Sequence, residues 1–449
     1  MAATKKSAAK SATSTLAADA GALTALRNLV ASSSRGYMED LARTEKPEVI
    51  PTGILGLDIA TGVGGFPVGR ITELYGMESS GKSTVVYHTI AQAQKRGFMC
   101  LLIETEGALD ERYMRRIGVN LDDLIVWSPD SQEAAIDMLV EATKVSGGNL
   151  LVVIDSVAAL APETMMEESA DKKFRGTAAG VWSQQMPKII AAVRNTKTTL
   201  ILVNQMRESM DLYAPPSTPG GKAIKFAASL RVLLRRKVDK GDKDDLDGAL
   251  GQEIQFIVEK NKVSNPYRRG FAYIRRGRPV DPVDDVIARG IERGIIRADT
   301  KFEDGELVSK KQWFTILQTD AMVKAIKEDL AAAERDKIDL PSSGGKPILS
   351  QDEPIVVYRK AELTKTLDFA PNLVEALREA ILATLDDEAS GLDSEMTPYD
   401  IALAARAKEF DEGAEDGLES SKIVETLVSS AVKAEDGAMN DDLAEFNDK

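Results

Sequence analysis

One cysteine and one histidine in 449 residues leave little room for two common kinds of site. Cys100 has no partner for a disulfide within the chain, and Cys100 with His88 alone supplies no zinc cluster. His88 falls inside a predicted helix and reads as structural. No apolar run reaches the roughly 18 residues that a membrane helix needs, and the Ala/Ser/Thr/Lys start lacks the apolar block of a secretory signal. The expectation is a cytoplasmic protein with no membrane partner. Even the net charge of −14 is missing from most of the chain. Residues 351–449 hold 25 acidic and 9 basic side chains, a net of −16, whereas residues 1–350 hold 46 and 48, a net of +2. The body is near neutral and the tail carries the acid.

What is present is organised. Residues 1–20 are low-complexity, with Lys5, Lys6 and Lys10 among small residues, and are expected to be a disordered arm. Residues 21–48 form an N-terminal helical segment and linker, in which Leu23, Leu26 and Val30 share one face that needs something to pack on. Over residues 49–279 strand and helix patterns alternate: strand 70–75, helix 83–96 stopped by Gly97, and strand 98–103. A helix opened by the pair Asp130 and Glu133 follows, then the apolar run 150–154, a helix over 177–194 and strand 198–203. Recurring βα units imply an α/β fold with a mainly parallel sheet flanked by helices. Strands near 229–235, 252–259 and 270–274, separated by a polar segment at 239–248 and a turn around Pro266, read as antiparallel additions. Residues 280–335 change to short helices, one at 283–293, and a strand pair around Trp313, the pattern of a small α+β domain. Residues 336–449 read as a linker, rich in Pro, Ser, Gly and charge up to Pro354, followed by an acidic, partly helical extension.

Gly76-Met77-Glu78-Ser79-Ser80-Gly81-Lys82-Ser83 matches the P-loop pattern between a predicted strand and a predicted helix, and Thr84 continues it. The glycines let backbone N–H groups curl around phosphate oxygens and the helix N-terminus adds its positive end. Lys82 reaches the β- and γ-phosphates of ATP, and the Ser83 hydroxyl ligates Mg²⁺. Asp155 closes an apolar strand, where its carboxylate meets magnesium directly or through water. Glu104 and Glu106 follow the buried strand 98–103; either could orient the attacking water, and spacing does not choose between them. Asn204 and Gln205 end another apolar strand at the same edge, in reach of a γ-phosphate. The chain is thus expected to be an ATP hydrolase.

Several further motifs in order make the chain resemble the bacterial and phage RecA-type recombinase family from about residue 51 to 318. They are Pro51-Thr52-Gly53 with Leu57-Asp58-Ile59-Ala60, Gly64-Gly65-Phe66-Pro67-Val68-Gly69-Arg70-Ile71, and Glu78-Ser79-Ser80-Gly81-Lys82-Ser83. Ala108-Leu109-Asp110, Val153-Ile154-Asp155-Ser156-Val157-Ala158-Ala159-Leu160 and Val203-Asn204-Gln205-Met206-Arg207 follow, then Gly220-Gly221-Lys222-Ala223-Ile224-Lys225-Phe226 and Lys260-Asn261-Lys262. The resemblance implies that Glu106 activates water, that Gln205 links the γ-phosphate to the DNA-binding state, and that Asp110 and Tyr113 contact adenine. It implies that Lys260 and Lys262 reach ATP held by a neighbouring subunit, and that the 22–46 helix packs on the adjacent protomer of a helical filament.

Two DNA-holding segments are implied, residues 163–175 and 206–221, with Arg175, Gly176, Met206, Arg207, Tyr213, Gly220, Gly221 and Lys222 as candidate contacts. Gly180 and Pro187 stand where many relatives carry arginines, so Arg175 and Lys188 are the available replacements. Pro215-Pro216 stiffens a slightly shortened second segment. The acidic extension is expected to compete with DNA for basic surface. The leading expectation is therefore a DNA-dependent ATPase that forms filaments on single-stranded DNA and catalyses homologous pairing and strand exchange with duplex DNA. Single-strand-binding and mediator proteins are implied helpers. A ring helicase of the same fold, or a DNA-binding mediator with little ATPase activity, are the alternatives, separated by electron microscopy and by turnover.

Overall fold

The computed structural model describes residue 28 and residues 47–167, 177–206, 218–239, 251–275, 278–303, 305–343, 346–351 and 353–390. In chain order the first elements are β1 (Val49–Ile50), α1 (Leu55–Thr61), β2 (Phe66–Pro67), β3 (Ile71–Gly76), α2 (Lys82–Lys95), β4 (Met99–Glu104), α3 (Glu111–Ile117) and β5 (Leu124–Trp127). They continue with α4 (Gln132–Ser146), β6 (Leu150–Asp155), α5 (Glu163–Glu167), α6 (Thr177–Thr196), β7 (Thr199–Gln205), α7 (Gly221–Ala227), β8 (Leu230–Asp239), β9 (Gly251–Asn261) and β10 (Arg269–Arg275). Eight of these strands make one sheet in the order β10-β9-β8-β3-β7-β6-β4-β5.

The apolar runs form the middle of that sheet because both of its faces are covered. Val85, Val86 and Ile90 of α2 pack on one face, and Ile136, Leu139, Trp182 and Ile189 of α4 and α6 on the other. The six strands from β8 to β5 in that order are parallel, and β9 and β10 are antiparallel. This corrects one expectation: the strand near 229–235 is β8, and it pairs parallel with β3. The reason is connectivity. α7 returns the chain to the starting edge after β7, so β8 enters the sheet in the same direction as its neighbour. A second correction concerns α4, whose N-cap is Ser131, not Asp130; Ser131 Oγ accepts from Ala134 N at 3.0 Å.

Beyond β10 lie α8 (Pro282–Glu292), β11 (Ile296–Glu303), β12 (Glu306–Ile316), α9 (Asp320–Asp336), β13 (Ser342–Ser343), β14 (Lys346–Pro347), β15 (Ile355–Tyr358), α10 (Lys360–Asp368) and α11 (Pro371–Ser390). β11, β12 and β15 form an antiparallel sheet. The boundary expected at residue 335 moves accordingly. Leu349, Ile355, Val357, Leu363, Leu367, Leu373, Leu377 and Ile381 are buried in the same core as Val286, Ile316 and Ile326. Composition misdirects here because acidic side chains occupy the outer face of helices whose apolar residues recur every four positions along α11. Leu55 and Ile59 of α1 join that core, so α1 is shared with the large-sheet half. None of the described helices is long and apolar enough to cross a membrane. The expected arm at 1–20, most of the 22–46 helix, the 239–248 segment beyond Asp239 and the chain after residue 390 lie outside the described residues.

Candidate nucleotide site

The C-terminal ends of β3, β7, β6 and β4 lie side by side, with Gly76 opposite Gln205 and Glu104 opposite Asp155. Every candidate in the phosphate and water-activating set starts from this edge, which is where ligands sit in open α/β sheets. The loop from β3 to α2 is shaped by its glycines. A Cβ at Gly76 would lie 2.4 Å from the Leu234 carbonyl, and Gly81 has φ +92° with its missing Cβ 2.1 Å from Ile254 Cδ1. A side chain at Gly76 would force backbone to shift, and one at Gly81 would be strained by its positive φ. The loop delivers Lys82 as the first residue of α2, so the free N–H groups of the helix start face the loop's hollow.

Lys82 folds back over this hollow, donating from Nζ to Met77 O at 2.8 Å and Gly76 O at 3.3 Å. Burial lowers its pKa, against the opposing pull of Asp155, Glu106 and Glu78. Ser80 Oγ is buried with no hydrogen-bond partner among the described residues. A cradle of backbone donors, a desolvated ammonium and an orphaned hydroxyl is a donor set that fits a polyphosphate. Ser83 Oγ donates to Asp155 Oδ2 at 3.0 Å, and burial, chiefly, raises the Asp155 carboxyl to about 6. A half-buried carboxylate beside a hydroxyl fits Mg²⁺, which takes few protein ligands and completes its shell with phosphate oxygens and water. Among the described residues no larger group of acidic, Cys or His side chains gathers around a metal position.

Geometry separates the two glutamates that spacing left equal. Glu104 is buried, and its carboxylate accepts from the backbone N–H groups of Glu106 and Gly107, both at 2.9 Å, and Ala108 at 3.4 Å. It is committed to holding the loop. Glu106 turns toward the strand ends instead, where Oε1 accepts from Ser156 Oγ at 2.9 Å and from Gln205 Nε2 at 2.8 Å. Thr105 braces this arrangement: its N–H donates to Asp155 O at 3.0 Å, and its hydroxyl accepts from Ser156 N at 2.8 Å. Sequence reasoning singled out neither Thr105 nor Ser156. Ser156 was legible as a small hydroxyl directly after the strand-ending Asp155.

Asp110 caps α3 by accepting from Tyr113 N at 2.9 Å, which points the Tyr113 ring at Thr84, hydroxyl to hydroxyl at 3.3 Å. The two residues thus meet at the flank of α2. Lys260 and Lys262 are elsewhere. Lys260 Nζ donates to the carbonyls of Lys225 at 2.7 Å and Phe226 at 3.0 Å, and Lys262 Nζ to Phe226 O at 3.4 Å, at the end of α7.

Among the DNA candidates, Met206 donates its N–H to Gly76 O at 3.0 Å, which ties the start of the second segment to the P-loop. Gly220 and Gly221 open α7 with φ of +81° and +68°, and Lys222 is exposed beside them. Lys188 lies on α6 and pairs with Asp137 at 2.8 Å, both side chains exposed. Arg175, Gly176, Arg207 and Tyr213 lie outside the described residues.

A glycine cradle at the head of α2, with carboxylates and an amide on neighbouring strand ends, defines a P-loop nucleotide-binding protein of the α/β class. Comparison with known proteins narrows this. Residues 24–279 match the family model of the RecA N-terminal domain. "Protein RecA" of a Nocardioides species is 38% identical over 309 residues, covering 68% of this chain and 83% of that one. "Protein RecA" of Methylobacterium radiotolerans is 38% identical over 277 residues, 61% of this chain and 75% of that one, and "Protein RecA" of Streptomyces coelicolor is 42% identical over 261 residues, 57% and 68%. The chain belongs to the RecA family, and its role lies in DNA recombination and repair.

Proposed function

We propose that this chain is a DNA-dependent ATPase that polymerises on single-stranded DNA and pairs it with a homologous duplex for strand exchange. The observation that carries the reading is the hydrogen bond from Gln205 Nε2 to Glu106 Oε1 at 2.8 Å. It joins the residue suited to activate water with the last residue before a segment assigned to DNA. An ATP γ-phosphate entering between them competes for the Gln205 amide. Once Gln205 donates to phosphate, the Glu106 carboxylate is free to accept a proton from water.

Water then attacks the γ-phosphorus, the bond to the β–γ bridging oxygen breaks, and ADP and phosphate leave. The loop N–H groups and Lys82 hold the charge on the phosphate oxygens. Ser83 and Asp155 would hold Mg²⁺, which would supply charge neutralisation on the polyphosphate. Thr84, Asp110 and Tyr113 line the route to the base. Lys260 and Lys262 act on the nucleotide of an adjacent protomer in the filament, and Arg175, Gly176, Lys188, Met206, Arg207, Tyr213, Gly220, Gly221 and Lys222 serve DNA contact. A joint-molecule assay tests this. Products are expected with homologous duplex only, and equal yield with a non-homologous duplex would refute pairing.

A further inference from the structure

Behind the nucleotide edge, a polar unit that is buried at Glu73 and Asn204 crosses β3, β7, β8 and β9. The register sets Tyr75 opposite Asn204, Glu73 opposite Arg231 and Arg231 opposite Lys260. Glu73 is fully buried; Oε1 accepts from Asn204 Nδ2 at 3.1 Å and Oε2 from Arg231 Nε at 2.5 Å. Arg231 lies 4.4 Å from the centre of the Tyr75 ring and 3.6 Å from Glu259, whose carboxylate also takes the Tyr75 hydroxyl.

Asn204, also fully buried, is the branch point. Its Nδ2 donates to Pro219 O at 2.9 Å and its Oδ1 accepts from Gln205 N at 3.1 Å. One carboxamide therefore bonds both the residue facing the nucleotide and the residue before α7. Lys260, next to Glu259, holds the other end of α7 through the carbonyls of Lys225 and Phe226. The Asn204 carboxamide already bonds Gln205 N and Pro219 O, and Glu73 takes the second Nδ2 hydrogen, a third directional bond that opposes rotation about the terminal torsion. Burying a carboxylate is costly, and a well-packed apolar pair would often stabilise the core as well. The polar unit's distinguishing property is thus direction rather than stability.

We propose that Glu73 is a positioning residue that couples Gln205 to α7. By locking the Asn204 carboxamide, it makes a displacement of the Gln205 backbone pull on the Pro219 carbonyl and so on the start of α7. Arg231 Nε, bonded to Oε2, aims the Glu73 carboxylate. The proposal rests on the reading of Gln205 as the residue that answers to ATP.

The test replaces Glu73→Leu together with Arg231→Met in the full chain, which removes the lock while refilling the core. Three readouts follow: affinity for a nonhydrolysable ATP analogue, turnover with and without single-stranded DNA, and hydrogen exchange of a peptide covering 218–227 on adding the analogue. Analogue affinity and DNA-free turnover are expected to match wild type within about twofold, while DNA stimulation falls about fivefold or more and the exchange response disappears. Glu73→Gln, which keeps an acceptor for Asn204, is expected to retain both responses. Glu73→Met, in which Arg231 keeps Glu259, carries the same expectation as the double variant and replaces it if that variant does not fold. Wild-type stimulation and exchange in these apolar variants would overturn the proposal, as would loss of analogue affinity in proportion to stimulation. A wild-type chain without any DNA stimulation would sink the reading of Gln205 and this proposal with it.

Discussion

The nucleotide edge and the core of the small domain are held by opposite means. At the edge, Glu106, Gln205, Ser156, Thr105 and Asp155 are joined by single hydrogen bonds between strand ends. Each such bond contributes only about 1 kcal/mol net, because water or a ligand offers the same partners. In the small domain, Leu373, Leu377 and Ile381 of α11 are fully buried, and Arg378 between them reaches the buried Asp58 of α1. The apolar contacts have no substitute partner in water, and the buried Asp58 carboxylate has no water to replace Arg378 where it sits. The difference places adaptability beside the phosphate site and rigidity where α1 meets α11.

Glu106→Gln tests the adaptable region most severely. It keeps the hydrogen bond to Gln205 but removes the proton acceptor, so turnover is expected to fall about 10²–10⁴-fold with nucleotide binding retained. Steady-state ATP hydrolysis beside analogue titration measures both. On the rigid side, Arg378→Ala leaves the Asp58 carboxylate buried without its cation, where burial already raises its pKa against the pull of Arg378. A loss of about 3–5 kcal/mol is expected in denaturant unfolding. Leu377→Ala removes only packing and should cost about 2–5 kcal/mol while analogue affinity at the P-loop stays unchanged. A small loss for either would show that α11 is an appendage.

His88 offers a finer probe of α2. Its Nε2 accepts from Val280 N at 3.3 Å, and burial, then Lys95, lowers its pKa to about 4. The unfolded chain takes up a proton that the folded chain refuses between about 4 and the ordinary value of 6.5. Stability contributed there is present above the ordinary value and is lost as pH falls toward 4. With one histidine in the chain, a single imidazole resonance is expected to titrate near pH 4. The smallest effect belongs to Lys188→Ala, because its exposed pair with Asp137 should contribute less than about 1 kcal/mol to stability. Any larger fall in DNA affinity in that variant therefore reports a DNA contact.

Those regions differed as much in how they could be read. The P-loop, Asp155 and Gln205 were legible because phosphate chemistry restricts residue type and spacing together, and because each ends an apolar strand. Spacing left Glu104 and Glu106 equal and the family resemblance pointed to Glu106; what needed the fold is the commitment of Glu104 to the N–H groups of 106–108. The parallel entry of β8 was hidden because strand direction is set by the crossover through α7, not by the residues of the strand. The small domain's true extent was masked by charge. Acidic residues around Leu373, Leu377 and Ile381 dominated composition, while the burial followed the apolar spacing.

Hydrolysis of ATP by the purified wild-type chain, measured with and without single-stranded DNA, bears on the nucleotide edge most directly. Turnover should rise about tenfold or more on adding DNA, through the coupling of Gln205 to the segments that follow it. Equal rates with and without DNA, at saturating ATP and magnesium, would contradict it.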